Sequence, residues 1–401
     1  MKQNKILAIS LLGLSAAGVS ALAGEPAPSG GPDWCRLLTD DLGSPIYSND
    51  DAMLIQAVKF FGRAQVQFAS TDIDGVNGVD DSETFDEFRR LRFGTQVQLL
   101  KHFKIKANAN FVKDGRPKGG SRDFGYQSLD VALLSFDAGA LLGGGAFDGV
   151  NVSVGRHKLT MSNEVHTSSK KIKTVERSAV ANKVYHYAAR LSGITLEKSK
   201  DNFSGTLGVF STEDTPELSG ETDGLAFYAN GSWELQSGGS LIADFLYNDA
   251  HGTPDNEVGL YEWAVALAYV TEKNGWDILL QGTLGENGDD GAGERGGNFW
   301  GLVAMASRNL TDKIEAVVRY SYQGADEADG IATNSRYLRR NHDADVGGGR
   351  GDQHHSIYAG LNYYACGHNA KIMTGIELET LDTAGGDVDA LTLWLALRTY
   401  F

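Results

Sequence analysis

The sequence predicts an all-β protein, a 16-stranded antiparallel transmembrane β-barrel, and three observations carry that expectation. An export signal opens the chain, with Lys2 and Lys5 ahead of an apolar run over residues 6–19 and Ala21-Leu22-Ala23 as a cleavage site. Beyond it no stretch approaches the roughly 20 apolar residues that a membrane helix needs. Instead, segments of about ten residues alternate polar and apolar positions, and short turns take turns with long acidic Gly/Asp/Asn connections between them.

The elements follow in order. Residues 1–23 read as a signal peptide, 24–53 as a periplasmic N-terminal segment and 54–401 as the barrel. The apolar run of the signal is too short to span a bilayer as a retained helix, and no cysteine follows its cleavage site to carry a lipid. Removal of its two lysines takes the formal net charge from −16 to −18. So acidic a chain is no partner for nucleic acid.

Each barrel segment has two faces that differ in kind. Arg63, Gln65 and Gln67 alternate with apolar neighbours. Arg90, Arg92, Gln96 and Gln98 oppose Leu91, Phe93, Val97 and Leu99, and Lys106, Asn108 and Asn110 oppose Ile105, Ala107, Ala109 and Phe111. Tyr261, Trp263, Val265, Leu267 and Tyr269 form an apolar row with aromatics at both ends, as an interfacial girdle requires. Ile314, Ala316, Val318, Tyr320 and Tyr322 do the same against Glu315, Arg319, Ser321 and Gln323. One such segment would fit a half-exposed strand of a soluble sandwich, but so many, with one row oily throughout and the other carrying charge, require lipid outside and water inside.

Strands are expected at 55–69, 88–100, 104–113, 128–138, 150–160, 186–197, 203–212, 224–236, 240–249, 260–272, 275–285, 298–310, 313–323, 355–365, 370–381 and 390–401. Their number is even, as a single-chain bacterial barrel needs. Entry from the periplasm makes the odd connections extracellular, and these are the long ones: 70–87, 114–127, 162–185, 212–223, 250–259, 286–297, 324–354 and 382–389. The others are mostly short, such as the hairpin dipeptide Asn274-Gly275.

The third long connection stands out. Residues 150–184 begin as a strand, then lose all alternation and become basic and hydroxyl-rich, with Lys170, Lys171, Lys173, Arg177 and Lys183 gathered in an otherwise acidic chain. A charge run alone is more often a solvated loop. Within a barrel, cations gathered at a narrowed, partly desolvated lumen lower the energy of an entering anion, and spreading the charge keeps each site weak enough to release. Arginine supplies a fork for oxyanions and lysine a mobile point charge.

The last strand alternates Leu391, Leu393, Leu395 and Leu397 against Thr392, Trp394, Ala396 and Arg398 and ends on Phe401. Here the chain resembles bacterial outer-membrane barrels, whose terminal aromatic is read by the barrel-assembly machinery. Gly155 with Lys158, then Glu164, Ser168 and Ser169, then Thr174-Val175-Glu176-Arg177-Ser178, resembles a run of the phosphate-selective porin O and P family. Arg89-Arg90-Leu91-Arg92-Phe93-Gly94 and Gly360-Leu361-Asn362-Tyr363-Tyr364 resemble two of that family's strands. The resemblance implies a homotrimeric channel in the outer membrane, set in lipid and lipopolysaccharide, whose third extracellular loop folds inward. It implies Lys158, Lys170, Lys171, Lys173, Arg177 and Lys183 at the anion constriction and Arg90 and Arg92 as wall charges, and the alternation adds Arg63, Lys106 and Arg319 to the lumen wall. Glu164 and Glu176 are the candidate pins of the loop. The inferred lumen also carries Asp244, Glu262, Asp277, Glu315, Glu377 and Glu379, a departure from the family's arginine ladder that argues against strict phosphate specificity. Strict alternation turns Lys158 outward, so a bulge or loop onset near Gly155 is expected to bring it in.

The function expected is passive diffusion of small anions, phosphate-like oxyanions favoured. The alternatives are a general or weakly cation-selective porin and a structural or adhesive barrel. No G-x-S-x-G, G-x-x-x-x-G-K or H-E-x-x-H motif points to an enzyme, and no cofactor is called for. His354 and His355, with His342, Asp343 and Asp345 upstream, read as solvated loop residues rather than metal ligands. The two cysteines, Cys35 and Cys366, both fall on the periplasmic side by strand parity, in an oxidising compartment. With the first strand beside the sixteenth, the turn holding Cys366 is about one strand pair away, roughly 10 Å. A disulfide pinning the N-terminal segment to the barrel rim is therefore expected.

Overall fold

Sixteen strands form one antiparallel sheet that closes on itself. The structure, a computed structural model, describes residues 33–401 apart from 79, 113–123, 185–189, 213–223, 250–260, 289–295 and 334–348. The signal peptide lies outside the described residues, as do His342, Asp343 and Asp345.

The strands are β1 (Ile55–Asp74), β2 (Asp80–Leu99), β3 (Phe103–Val112), β4 (Phe124–Asp137), β5 (Val150–Lys158) and β6 (Arg190–Lys200). There follow β7 (Phe203–Ser211), β8 (Leu225–Glu234), β9 (Ser240–Asn248), β10 (Tyr261–Lys273) and β11 (Trp276–Asn287). The set ends with β12 (Asn298–Asn309), β13 (Ile314–Ala325), β14 (Gln353–Tyr364), β15 (Ala370–Thr383) and β16 (Gly386–Tyr400). Each pairs with the next in sequence, and β16 closes the barrel on β1, from Tyr400 opposite Arg63 to Asp389 opposite Asp74.

All sixteen expected strands are present, but two expected outer loops are not loops. β1 and β2 run 20 residues each across most of 70–87, and Ala384 and Gly385 alone separate β15 from β16 where 382–389 was expected to be open chain. At ~3.3 Å per residue β1 is about 65 Å long, against the ~9–11 residues that cross a bilayer. The closing seam therefore stands above the membrane: its outward residues Ser70, Asp72 and Asp74 meet water instead of lipid, while Ile73, Leu381, Val388 and Ala390 are buried on the other face, which is why its Asp and Ser residues read as loop. On the opposite side, the connection from β4 to β5 is not a tight turn but carries α2 (Ala138–Leu142), which Asp137 caps by accepting from the Ala140 N–H.

The two faces are as the alternation requires. Leu393, Leu395 and Leu397 are about half exposed outside, whereas Trp394, Ala396 and Arg398 are buried inside. Tyr261 corrects the expected apolar row: a register shift between Tyr261 and Trp263 turns its ring inward, where it packs on Phe299. A second shift, in which Gln65 faces Arg90 and Val66 faces Phe88, sends both Arg89 and Arg90 to one side.

The N-terminal segment crosses the seam. α1 (Asp33–Arg36) carries Cys35, which is bonded to Cys366 in the β14–β15 turn with a Cα–Cα distance of 5.4 Å. Further on, Tyr47 and Ser48 pair with Val58 and Ala57, the part of the β1 edge beyond the end of β16.

Candidate functional site

The segment that follows β5 lies against the inward faces of strands from most of the barrel. Leu159 and Met161 start it, packed with Leu191, Tyr228, Tyr261 and Phe299. α3 (Asn163–His166) comes next, and its free N–H groups find wall side chains: Ser162 N donates to Asp244 Oδ2 at 3.0 Å and Asn163 N to Gln281 Oε1 at 2.8 Å. His166 Nε2 meets Asp244 Oδ1 at 2.7 Å. Val175 is fully buried with Tyr358, Met373 and Trp394. α4 (Ala179–Val184) begins under Ser178, whose hydroxyl accepts from Ala181 N at 3.1 Å.

Arg319 of β13 ties the middle of the segment to the wall. One of its terminal nitrogens donates to Glu176 O at 2.8 Å and Thr174 Oγ1 at 3.1 Å and lies 3.4 Å from Glu164 Oε1; the other meets Glu377 Oε1 at 2.8 Å. Glu164 also accepts from Ser178 N and Oγ. Glu176 accepts from Arg89 Nε at 2.6 Å and Gln67 at 3.0 Å. Both glutamates thus hold the segment to itself and to β1, β2 and β13. Lys371 of β15 and Arg398 of β16 add bonds to the carbonyls of Ile172, Ser169 and Val175.

The expected constriction cations have different fates. Lys173 lies between Asp277 and Glu315, the latter at 2.6 Å. Arg177 donates to the carbonyls of Glu164 and Thr167 at 2.6 and 2.8 Å, so it braces the segment's own backbone. Lys183 bonds Asn287 and lies 4.4 Å from the Phe299 ring. Lys158 donates to Val165 O at 3.1 Å. It reaches the segment without a bulge, since the ladders on both sides of β5 stay in register; the backbone adjusts at Gly155, with φ +129°, where a Cβ would strike the Ala132 carbonyl. Lys171 is exposed.

Lys170 differs. Its amine lies 4.5 Å from the Tyr400 ring and 5.9 Å from the Phe61 ring, and Lys106 lies 5.6 Å from the same Phe61 ring. Arg63 donates to Ser169 Oγ at 2.6 Å beside them. Among the described residues neither Lys106 nor Lys170 forms an ion pair with a carboxylate. Burial first, then the charges of Arg63, Lys106 and Lys59, push the Lys170 amine down to about 7.

On the wall, Arg90 is buried and donates to Gln65 at 2.8 Å. Arg92 and Arg190 share the single carboxylate of Asp130, each at 2.7 Å, with Asn108 donating to it as well. Arg319 belongs to the anchor rather than the open wall. The sequence pattern gave no site role to Arg89, Asp130, Arg190, Lys371 or Arg398. Lys371 and Arg398 lie on the polar rows of their strands and could have been found by parity. Arg89 could not, because a bulge carries it inward, and Asp130 lies at a similar shift in β4. The acids that set this lumen apart are largely engaged: Asp244, Glu315, Glu377 and Glu379 are all buried, the first three on the segment or its anchor and Glu379 against His354 and Thr333.

The family model for phosphate-selective porin O and P matches residues 58–253, which hold the motifs at 89–94 and 155–178 but not the one at 360–364. No curated protein matches the sequence. Among solved structures, the outer-membrane channel DcaP of Acinetobacter baumannii is 12% identical over 89% of this chain and 100% of its own, with a TM-score of 0.57. An anion-selective porin from Comamonas acidovorans is 13% identical over 86% of this chain and 99% of its own, at 0.55. The trimer form of OmpT, an outer-membrane protein of Vibrio cholerae, is 11% identical over 86% and 99%, at 0.54. At such identities the likeness is one of fold. Together with the family match it gives the chain the fold of an outer-membrane porin, a channel rather than an enzyme, and a location in the bacterial outer membrane.

Proposed function

We propose that this chain is a porin for passive diffusion of small anions, oxyanions of the phosphate type included, through a lumen that residues 159–184 narrow by folding inward. The observation that carries this reading is the division of charge. The segment's bonds to β9, β11, β13 and β14 to β16 engage the acids of that wall, whereas its bonds to β1 and β2 run to Arg63, Gln65, Gln67 and Arg89. Arg63, Lys106 and Lys170, with half-buried Lys104 nearby on β3, stand toward β1 to β4. An anion passing there meets Lys106 and Lys170, which form no ion pair with a carboxylate among the described residues, in a space where burial strengthens the attraction. Arg92 and Arg190 bring two forked donors together at one aspartate, a donor geometry suited to oxyanions. Homotrimeric assembly is part of this proposal, on the likeness to the OmpT trimer form.

The test is reversal potential across a potassium chloride gradient in planar bilayers, followed by block of the chloride current by phosphate. An anion-selective value supports the reading, and a predominantly cation-selective one overturns it. A second reading has one observation in its favour. The raised seam carries Asp72, Asp74, Asp80, Asp81, Asp387 and Asp389, which would gather cations at the mouth and suit a weakly cation-selective porin.

A further inference from the structure

The Lys170 cluster is built around a ring as well as around charge. Phe61 is on the inward row of β1, and its ring tip lies over Gly94 of β2, where a Cβ would come within 2.7 Å of it. The missing side chain at Gly94 lets the ring lie close to the wall. Lys106 and Lys170 stand within 6 Å of its centre, Lys170 also touches Tyr400, and Arg63 is held beside them by Ser169. A compact, fully hydrated anion needs the cations only. A flat apolar surface rimmed by ammonium and guanidinium groups suits a ligand with a flat apolar body and a carboxylate at one end, which can stack on the ring while its oxygens meet the amines.

We propose that Phe61, Tyr400, Arg63, Lys106 and Lys170 form a subsite for aryl carboxylates, so that the channel favours these over aliphatic carboxylates of equal charge. The proposal rests on the anion-channel reading and names a substrate class for it. Stacking is the added interaction, worth about fivefold in affinity for one offset aromatic pair. The amine of Lys170 loses its charge as pH rises through about 7, so recognition weakens on the alkaline side; Lys59, Arg63 and Lys106 are the other charges facing it.

The experiment measures block of the single-channel chloride current of the full-length protein by benzoate, cyclohexanecarboxylate and acetate at pH 6. Benzoate is expected to act at about fivefold lower concentration than the other two, and Phe61→Leu, which keeps an apolar side chain but removes the ring, to bring the three together. If benzoate and cyclohexanecarboxylate block the unaltered protein equally while reversal potential still shows anion preference, the subsite is overturned and the anion channel stands. If anion preference is absent too, both readings fall. Because the comparison of benzoate with cyclohexanecarboxylate is made on the unaltered protein, it decides the matter even if Phe61→Leu does not assemble.

Discussion

Lys170 and Lys173 are three residues apart in one basic run, yet the structure gives them opposite tasks. Lys173 neutralises Asp277 and Glu315, whereas Lys170 adds its charge to Arg63, Lys106 and Lys59. Lys170→Gln should therefore lower anion preference and leave assembly intact. Lys173→Gln should leave two carboxylates without their cation, cost about 1.5–3 kcal/mol of local stability, and move selectivity toward cations by exposing them. Thermal unfolding of the purified protein and reversal potential separate the two; equal effects would show that the run acts as one diffuse charge. The pH dependence has a definite sign. The Lys170 amine, at about 7 instead of its usual range, is charged below that value and neutral above it, so anion preference should fall between pH 6 and 8. A profile flat over that range would place Lys170 outside the conducting path.

Strands, bulges and loops were legible to different degrees, for physical reasons. A strand between lipid and water must alternate, so all sixteen could be read from pattern alone. In the outer parts of β1, β2, β15 and β16 the outward row is polar, with Ser70, Asp72 and Asp74, and the buried row mixes Thr71 with Ile73, Leu381 and Val388, so the contrast between an oily and a wet row is lost. Bulges are invisible to alternation as well, and one of them hides Arg89, which helps to fix Glu176. For the same reason charge in a row reveals that a face is wet, not what the charge is bonded to: Arg319 reads as a wall cation, but its neighbours make it the anchor of residues 164–176. Arg319→Met should cost about 3–5 kcal/mol, the usual result of breaking a buried ion pair. It should also raise single-channel conductance and weaken selectivity, because the segment loses its hold on β13. Unchanged conductance in a correctly folded barrel would mean that the remaining bonds, from Lys371, Arg398 and Asp244, are sufficient to hold it.

Across the whole barrel, one join differs from the other fifteen, since β1 and β16 are the first and last strands and only hydrogen bonds connect them directly. The N-terminal segment spans that join. Tyr47 and Ser48 cover the β1 edge beyond the end of β16, and Cys35 then reaches the β14–β15 turn on the far side of β16. The last strand is thus enclosed by β15, by β1 and by a strap below its terminal residue, and its terminal Phe401 keeps backbone bonds to Gly62 in both directions. Opening the seam at the end that carries the strap would require the strap to move, so the disulfide should oppose separation of β16 from β1. It links residues 331 apart in sequence, and in the chain-entropy account so long a loop falls near the top of the range of ~2–5 kcal/mol. Cys35→Ser is therefore expected to lower the temperature at which the folded barrel converts to its unfolded, slower-migrating form on electrophoresis, and Cys366→Ser and the double variant should lower it by the same amount, since each removes the same bond. Reductant should reproduce the shift in the unaltered protein and have no effect on the variants. Mass spectrometry of unreduced peptides supplies the direct check: a peptide joining Cys35 to Cys366 is expected, and two free thiols in material extracted from membranes would remove the strap and with it the reason for the shift.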